Sequence, residues 1–340
     1  MRFALVALSV ACAAAQCTTD LDCSLNGVCA SAQCTCDAPW SGPSCAKLTY
    51  ATTPAIGKNI YDGNDPHNTW NGPIEGPDAE GIYHAYIPLY KPDSLWHVIT
   101  LMHGVSDNVV GPWDWASRPN LTSSAINPGF LTYPNTTTGE PVYSIWAGGS
   151  IVSSDSLDGP FLHDSKYGGL INPAPIYFKG TFYLAQQSTR SILSSPAVGG
   201  PWTLFSNITH SPAQGYVVED PFMWIDSRSN WHIINHAYNL SQSGNCGDSD
   251  VSSHFFSTDG IDWLWSDAPY GHTVQYDDGT SHTYATMERP RLVFNAKGQP
   301  AFLNVAADIV AQDACPNAGT CCACCKYTDH AGSIVIALAV

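Results

Sequence analysis

Two short phrases set ionisable side chains next to one another and then stop at a proline: Glu219-Asp220-Pro221 and Glu288-Arg289-Pro290. A carboxyl whose surroundings raise its pKa can donate a proton near neutral pH, and one that stays ionised can accept it. Glu219 and Glu288 are therefore the candidate proton donors, and Asp220 joins them as a catalytic candidate that could position a substrate. Arg289 could grip a carboxylate or sulfate with its planar fork. His103 is a candidate base and His236 a candidate binding group, since imidazole titrates close to neutrality. Each also has a plainer role. Asp before Pro caps turns, Glu288 and Arg289 could form a structural ion pair, and strand histidines are usually satisfied by their neighbours.

The elements that would position these groups recur along the chain. Residues 50–340 lack long helical stripes, and short runs of β-branched and aromatic residues alternate with Gly, Pro, Asn and Asp. One phrase opens each unit: Trp70-Asn71-Gly72-Pro73, Asn127-Pro128, Asn172-Pro173, Asp220-Pro221 and Arg289-Pro290. A second strand phrase follows each opening. A third ends in Ser at Ser106, Ser154, Ser195 and Ser257, and SIVIALAV closes the last unit. Five such units predict an all-β, five-bladed β-propeller over residues 65–340. The first strand of a blade lines the central channel, so the openings converge at one mouth. Asn71, Asn127, Asn172, Glu219, Asp220, Glu288 and Arg289 are expected to meet there, with Asn71, Glu75, Asn127, Asn172, His236 and Arg289 as substrate-binding candidates. Strand alternation predicts that only one of Glu219 and Asp220 faces the channel.

The charge balance excludes some partners. Lys+Arg number 13 against 29 Asp+Glu, a formal charge of −16. A polyanion-binding protein needs a basic surface, so nucleic acid is not an expected partner. Thirteen cysteines point to an oxidising compartment. Residues 1–15 read as a signal peptide, with Arg2, an apolar run and Ala13-Ala14-Ala15. That run and Ile334–Val340 are both shorter than a membrane span, so no membrane insertion is expected. A secreted, extracellular protein follows. Asn120, Asn135, Asn207 and Asn239 fit the glycosylation rule. Cys246, Cys315, Cys321, Cys322, Cys324 and Cys325 are expected as disulfides that staple the fifth unit. No metal site is assigned.

Six cysteines, Cys17, Cys23, Cys29, Cys34, Cys36 and Cys45, crowd one short segment, with Asn26-Gly27 before the third and Trp40-x-Gly42 before the last. This spacing resembles an epidermal-growth-factor-like module over residues 16–46, followed by a linker over 47–64. The resemblance implies the pairs Cys17–Cys29, Cys23–Cys34 and Cys36–Cys45. Only Gln16 precedes Cys17, so the acidic pattern of calcium-binding versions is missing.

The larger part resembles the five-bladed propeller glycosidases, the arabinanase, levansucrase and invertase superfamily that includes glycoside hydrolase family 43. The residues that carry this are Trp70-Asn71-Gly72-Pro73 with Gly81-x-Tyr83-His84, His103-Gly104-Val105-Ser106, Glu219-Asp220-Pro221 and Ser257-x-Asp259-Gly260-x-Asp262-Trp263. The resemblance implies carboxylates at the channel mouth acting as base or nucleophile and as general acid on a polysaccharide. One departure stands out. The position matching the first-blade catalytic Asp is Gly72. Glu75 is the nearest replacement carboxylate. The expectation is a secreted glycoside hydrolase acting on an extracellular polysaccharide; the alternative is a non-catalytic carbohydrate-binding or adhesion protein. No cofactor is required by this chemistry, and a structural calcium ion in the channel is an addition that no motif specifies.

Overall fold

The computed structural model describes residues 17–61, 68–90, 98–116, 127–168, 172–187, 190–209, 216–239, 250–267, 269–284, 286–308 and 331–340. The signal segment, Asn120 and the six later cysteines lie outside these residues, as does the side chain of Asn239.

Residues 17–48 are too few to bury a core and are held by three disulfides, Cys17–Cys29, Cys23–Cys34 and Cys36–Cys45. They frame two small hairpins, β1 (Gly27–Ala30) with β2 (Gln33–Cys36) and β3 (Trp40–Ser41) with β4 (Lys47–Leu48). The remaining residues form five antiparallel blades. Blade I holds β5 (Asn68–Thr69), β6 (Ile74–Glu75), β7 (Tyr83–Tyr90) and β8 (Val98–Ser106). Its inner edge is broken at Trp70–Pro73, and β5 and β6 pair with different ends of β7.

Blade II holds β9 (Gly129–Pro134), β10 (Pro141–Ala147), β11 (Ser150–Ser154) and β12 (Leu162–Lys166). Blade III holds β13 (Ala174–Phe178), β14 (Thr181–Ala185), β15 (Ser191–Ser195) and β16 (Thr203–Asn207). Blade IV holds β17 (Tyr216–Ile225), β18 (Trp231–Asn239), β19 (Asp250–Ser257) and β20 (Leu264–Asp267). After a hairpin of β21 (Thr273–Gln275) and β22 (Ser281–Thr283), blade V is built from β23 (Met287–Phe294), β24 (Pro300–Asp308) and β25 (Ala331–Ala337).

Blades II to IV run in simple sequence order from inner to outer strand. Blade V borrows its outer edge. Ala51 N–H donates to the Ala337 carbonyl, Ala339 N–H to Thr49, and Tyr50 bridges Leu338. The stretch expected as a linker over 47–64 is thus partly sheet. It covers the open edge of β25, as an exposed ladder requires. Thr69 and Ser333 hydroxyls, 3.2 Å apart, tie blade I to blade V.

The small cysteine-rich module packs onto blades IV and V. Trp40 stacks on His254 with ring centroids 5.3 Å apart, and Leu48 N–H donates to the Pro269 carbonyl. The Arg228 guanidinium donates to Asp37 and to the Leu25 carbonyl, each at 2.6 Å. No helix among the described residues is long and apolar enough to cross a membrane.

Candidate functional site

The five openings do converge. Asn127, Asn172, Asp220 and Arg289 each take a positive φ, between 51° and 54° for the first three and 52° for Arg289. Asn and Asp tolerate this left-handed conformation, because their short polar chains bond locally; an arginine there is a strained exception. In blades IV and V the kink is a bulge, with register shifts between Glu219 and Phe222 and between Glu288 and Arg291. The four side chains line the small space at the axis.

There they bond to one another from blade to blade. The Asn127 amide donates to Asn172 Oδ1, and the Asn172 amide donates to both Gln187 Oε1 and Asp220 Oδ1. Arg289 Nε lies 3.8 Å from Asp220 Oδ1, and its guanidinium sits 5.6 Å from the Trp70 ring centroid. Asn71, on blade I, donates to the carbonyls of Arg289 at 2.6 Å and Asn304 at 3.0 Å, while Asn304 returns a bond to the Gly72 carbonyl. Asn71 is a tie between the first and last blades. The space enclosed by this ring is about 10 Å³, room for about one water molecule.

Around the ring lie the acids. Of the Glu219–Asp220 pair, Asp220 lines the space within the ring. Carboxylate oxygens of Glu219 and Asp220 and a ring nitrogen of His236 all lie within 4.8 Å of one another. His236 pairs across the ladder with Glu219. Glu288 is buried on β23 beside Arg289. Calcium takes six to eight oxygens, so a calcium ion at Glu219, Asp220 and His236 would need ligands beyond these three.

Gly72 explains the missing first-blade carboxylate in steric terms. A Cβ placed there would lie 1.9 Å from the Tyr86 carbonyl oxygen. The inner edge runs too close to β7 for any side chain.

Glu75 is not part of the ring. It lies further along the channel, where the inner strands diverge around a cavity of about 400 Å³. Its company there includes Arg291, Phe222, Trp224 and Phe294. Burial pushes its carboxyl up to about 7, although the Arg291 charge opposes the shift. Burial also lowers Arg291, to about 10, and its guanidinium bonds the Pro128 carbonyl.

His103 is placed away from the channel. It is fully buried on β8, 3.1 Å from His84 and stacked on Tyr86 at 4.9 Å between centroids. Its neighbours supply a constellation that sequence inspection missed. Asp78, His84, His103 and Asp158 come from two blades, and only the β7–β8 register and the blade I–II junction bring them together. Asn135 and Asn207 both sit at the surface, in keeping with the glycosylation rule.

Comparison with known proteins supports this architecture. A Teneurin-like EGF domain family matches residues 19–47. Among solved structures, a complex of BT0996 with RGII superposes with a TM-score of 0.55 at 9% identity, covering 86% of this chain and 92% of that one. A protein described as a glycoside hydrolase gives 0.52 at 9% identity, covering 88% and 91%. A thermostable family-43 glycoside hydrolase gives 0.50 at 11% identity, covering 85% and 91%. At these identities the likeness is one of fold. A search of the curated proteins finds no match to this chain.

Proposed function

We propose that this is a secreted carbohydrate-binding protein built on a glycosidase-type propeller, which holds a glycan at the channel mouth without hydrolysing it. The observation that carries this reading is Gly72. Hydrolysis by two carboxylates needs one on each side of the scissile bond. The backbone at position 72 stands against the Tyr86 carbonyl and has no room for the first of them. The ring below the mouth is occupied by amides bonded to one another, which favours a rigid platform over a reaction chamber. Glu219, His236, Glu288 and Arg289 supply polar groups around the ring. Three disulfides in the N-terminal module suit an oxidising, extracellular setting.

One observation favours a second reading. The bulge at Asp220 brings two carboxyls and an imidazole within 4.8 Å, enough for proton transfer by a hydrolase with Glu219 as acid and water activated nearby. The full-length secreted protein should be screened on a glycan array and, in parallel, on a panel of polysaccharides for released sugar. Saturable binding without product supports the binding reading. Product formation that Glu219→Gln abolishes while leaving the melting temperature unchanged replaces it with the hydrolase. Absence of both binding and turnover overturns the carbohydrate assignment.

A further inference from the structure

The junction of blades I and II holds a group of side chains that the channel chemistry does not use. His84 on β7 and His103 on β8 are diagonal neighbours across the two strands with buried rings, and their Nδ1 and Nε2 atoms face each other at 3.1 Å. Asp158, in the turn between β11 and β12, reaches across from blade II. Its Oδ1 lies 3.6 Å from the same His84 Nδ1, and the three ligand atoms fall within 4.8 Å of one another. The other ring nitrogen of His84, Nε2, lies 3.1 Å from Asp78 Oδ2.

That last contact sets the chemistry. A histidine that gives its Nε2 proton to a carboxylate keeps a lone pair on Nδ1. Here that lone pair faces His103 Nε2 at 3.1 Å and an Asp158 carboxylate oxygen at 3.6 Å, and a cation held among the three atoms would turn the carboxylate from a repelling neighbour into a ligand. Four-coordinate zinc, with bonds of about 2.0–2.1 Å, sets its ligands about 3.3 Å apart, close to the 3.1 and 3.6 Å found here. A ligand histidine braced from behind by a carboxylate is the usual outer shell of such sites. We propose that His84 Nδ1, His103 Nε2 and Asp158 bind one zinc ion, with Asp78 orienting His84 and the fourth position left to water.

The rest of the junction supports the geometry. Tyr86 stacks on His103 and donates its hydroxyl to the Leu157 carbonyl at 2.5 Å, fixing the residue next to Asp158. Asp158 is 46% exposed along its side chain, which gives the ion a way in from solvent. In the Ser-x4-Gly-Pro turns that end the third strands, the residue before Gly-Pro is Val110, Asp158 and Gly199; only blade II supplies a carboxylate.

Blade IV provides an internal control. Asp226, His232 and His254 repeat the arrangement of Asp78, His84 and His103, with the imidazoles 3.0 Å apart and Asp226 3.4 Å from His232. There the ring of Trp40 lies on His254, and no third ligand completes a set among the described residues. Among the described residues the complete set therefore occurs at the junction of blades I and II and not in blade IV.

The test uses the full chain, freed of metal by chelation and titrated with Zn²⁺ by calorimetry, with Co²⁺ as a visible probe of tetrahedral coordination. Asp158→Asn removes an exposed ligand and leaves the Tyr86 bond to Leu157 intact, so the metal-free protein should melt as wild type does. The expected result is saturable Zn²⁺ binding that weakens at least about tenfold in Asp158→Asn, and by about 10- to 100-fold in Asp78→Asn, but is unchanged in Asp226→Asn. Absence of saturable binding overturns the proposal, and so does binding that Asp158→Asn leaves intact, which would assign the metal to other histidines or cysteines. A loss of affinity equal in Asp78→Asn and Asp226→Asn would overturn it as well.

Discussion

The two levels of the channel are built from the same five inner strands, a few residues apart, and they differ in almost every physical respect. At the ring, left-handed residues aim short polar side chains at the axis, and these interlock until about 10 Å³ remains. Further along, ordinary strand geometry returns, the strands splay, and about 400 Å³ opens among aromatic rings with Glu75 and Arg291 at its wall. The contrast teaches that convergence of polar residues is not the same as a pocket. Where the backbones come closest, amides and one ion pair act as blade-to-blade fasteners. The larger space lies beyond that layer.

The sharpest way to break this comparison is to force a side chain into the tight level. Gly72→Asp would place a carboxylate on the inner edge of blade I, but its Cβ would meet the Tyr86 carbonyl at 1.9 Å. We expect a loss of about 3 kcal/mol or more in denaturant unfolding and no hydrolysis. A stable, hydrolysing Gly72→Asp protein would refute the steric account. Next in size is Asp220→Ala, which strips a buried guanidinium of its carboxylate. Removing one partner of a buried pair typically costs about 3 kcal/mol, and the midpoint should fall without a change in slope.

The open level should answer to pH. The Glu75 carboxyl is raised from its ordinary value of 4.5 to about 7 by burial. An acid with a raised folded pKa stabilises fully below its unfolded value, and that contribution is lost as pH rises through the folded one. Wild-type stability should therefore decline between about pH 4.5 and 7. Glu75→Gln, which cannot ionise, should flatten that slope and exceed wild type by about 2 kcal/mol above pH 7. A variant with the wild-type pH profile would remove Glu75 as the titrating group.

The smallest effect is at Asn127. Alanine there loses the amide bond to Asn172 and keeps a positive φ, whereas glycine loses only the bond. Asn127→Gly should be more stable than Asn127→Ala by about 1 kcal/mol, read as a difference in melting temperature. Equal losses would mean that the backbone relaxes out of the left-handed basin and that the ring is softer than described.

Most of the blade pattern was legible in the sequence, because strand ends are marked by local chemistry. Ser106, Ser154, Ser195 and Ser257 each close a third strand. The module's three disulfides follow the pairs its resemblance implied. The site was legible only as a set of positions. That Arg289 would take the same left-handed backbone as Asn127, Asn172 and Asp220 was not, since an arginine gives no local signal for it. The register shift between Glu219 and Phe222, where Asp220 turns to the ring, is likewise set by the sheet and not by spacing. The His84–His103 pair depends on strand register, and its link to Asp158 depends on blade packing, neither of which spacing reports.

One consequence of the borrowed edge on blade V concerns order in time. Residues 49–51 leave the ribosome long before β25, yet their hydrogen-bond partners are Leu338 and its neighbours. Until the final residues emerge, the cysteine-rich module is tethered to an unfinished ring, and β25's future partner waits as a bare edge. Closure across nearly the whole chain is a non-local event of the kind that slows folding and exposes strands to the wrong neighbour. Nascent chains halted just short of Ile334 should therefore be the species most prone to cross-pair with one another, through the very segment that protects the finished protein.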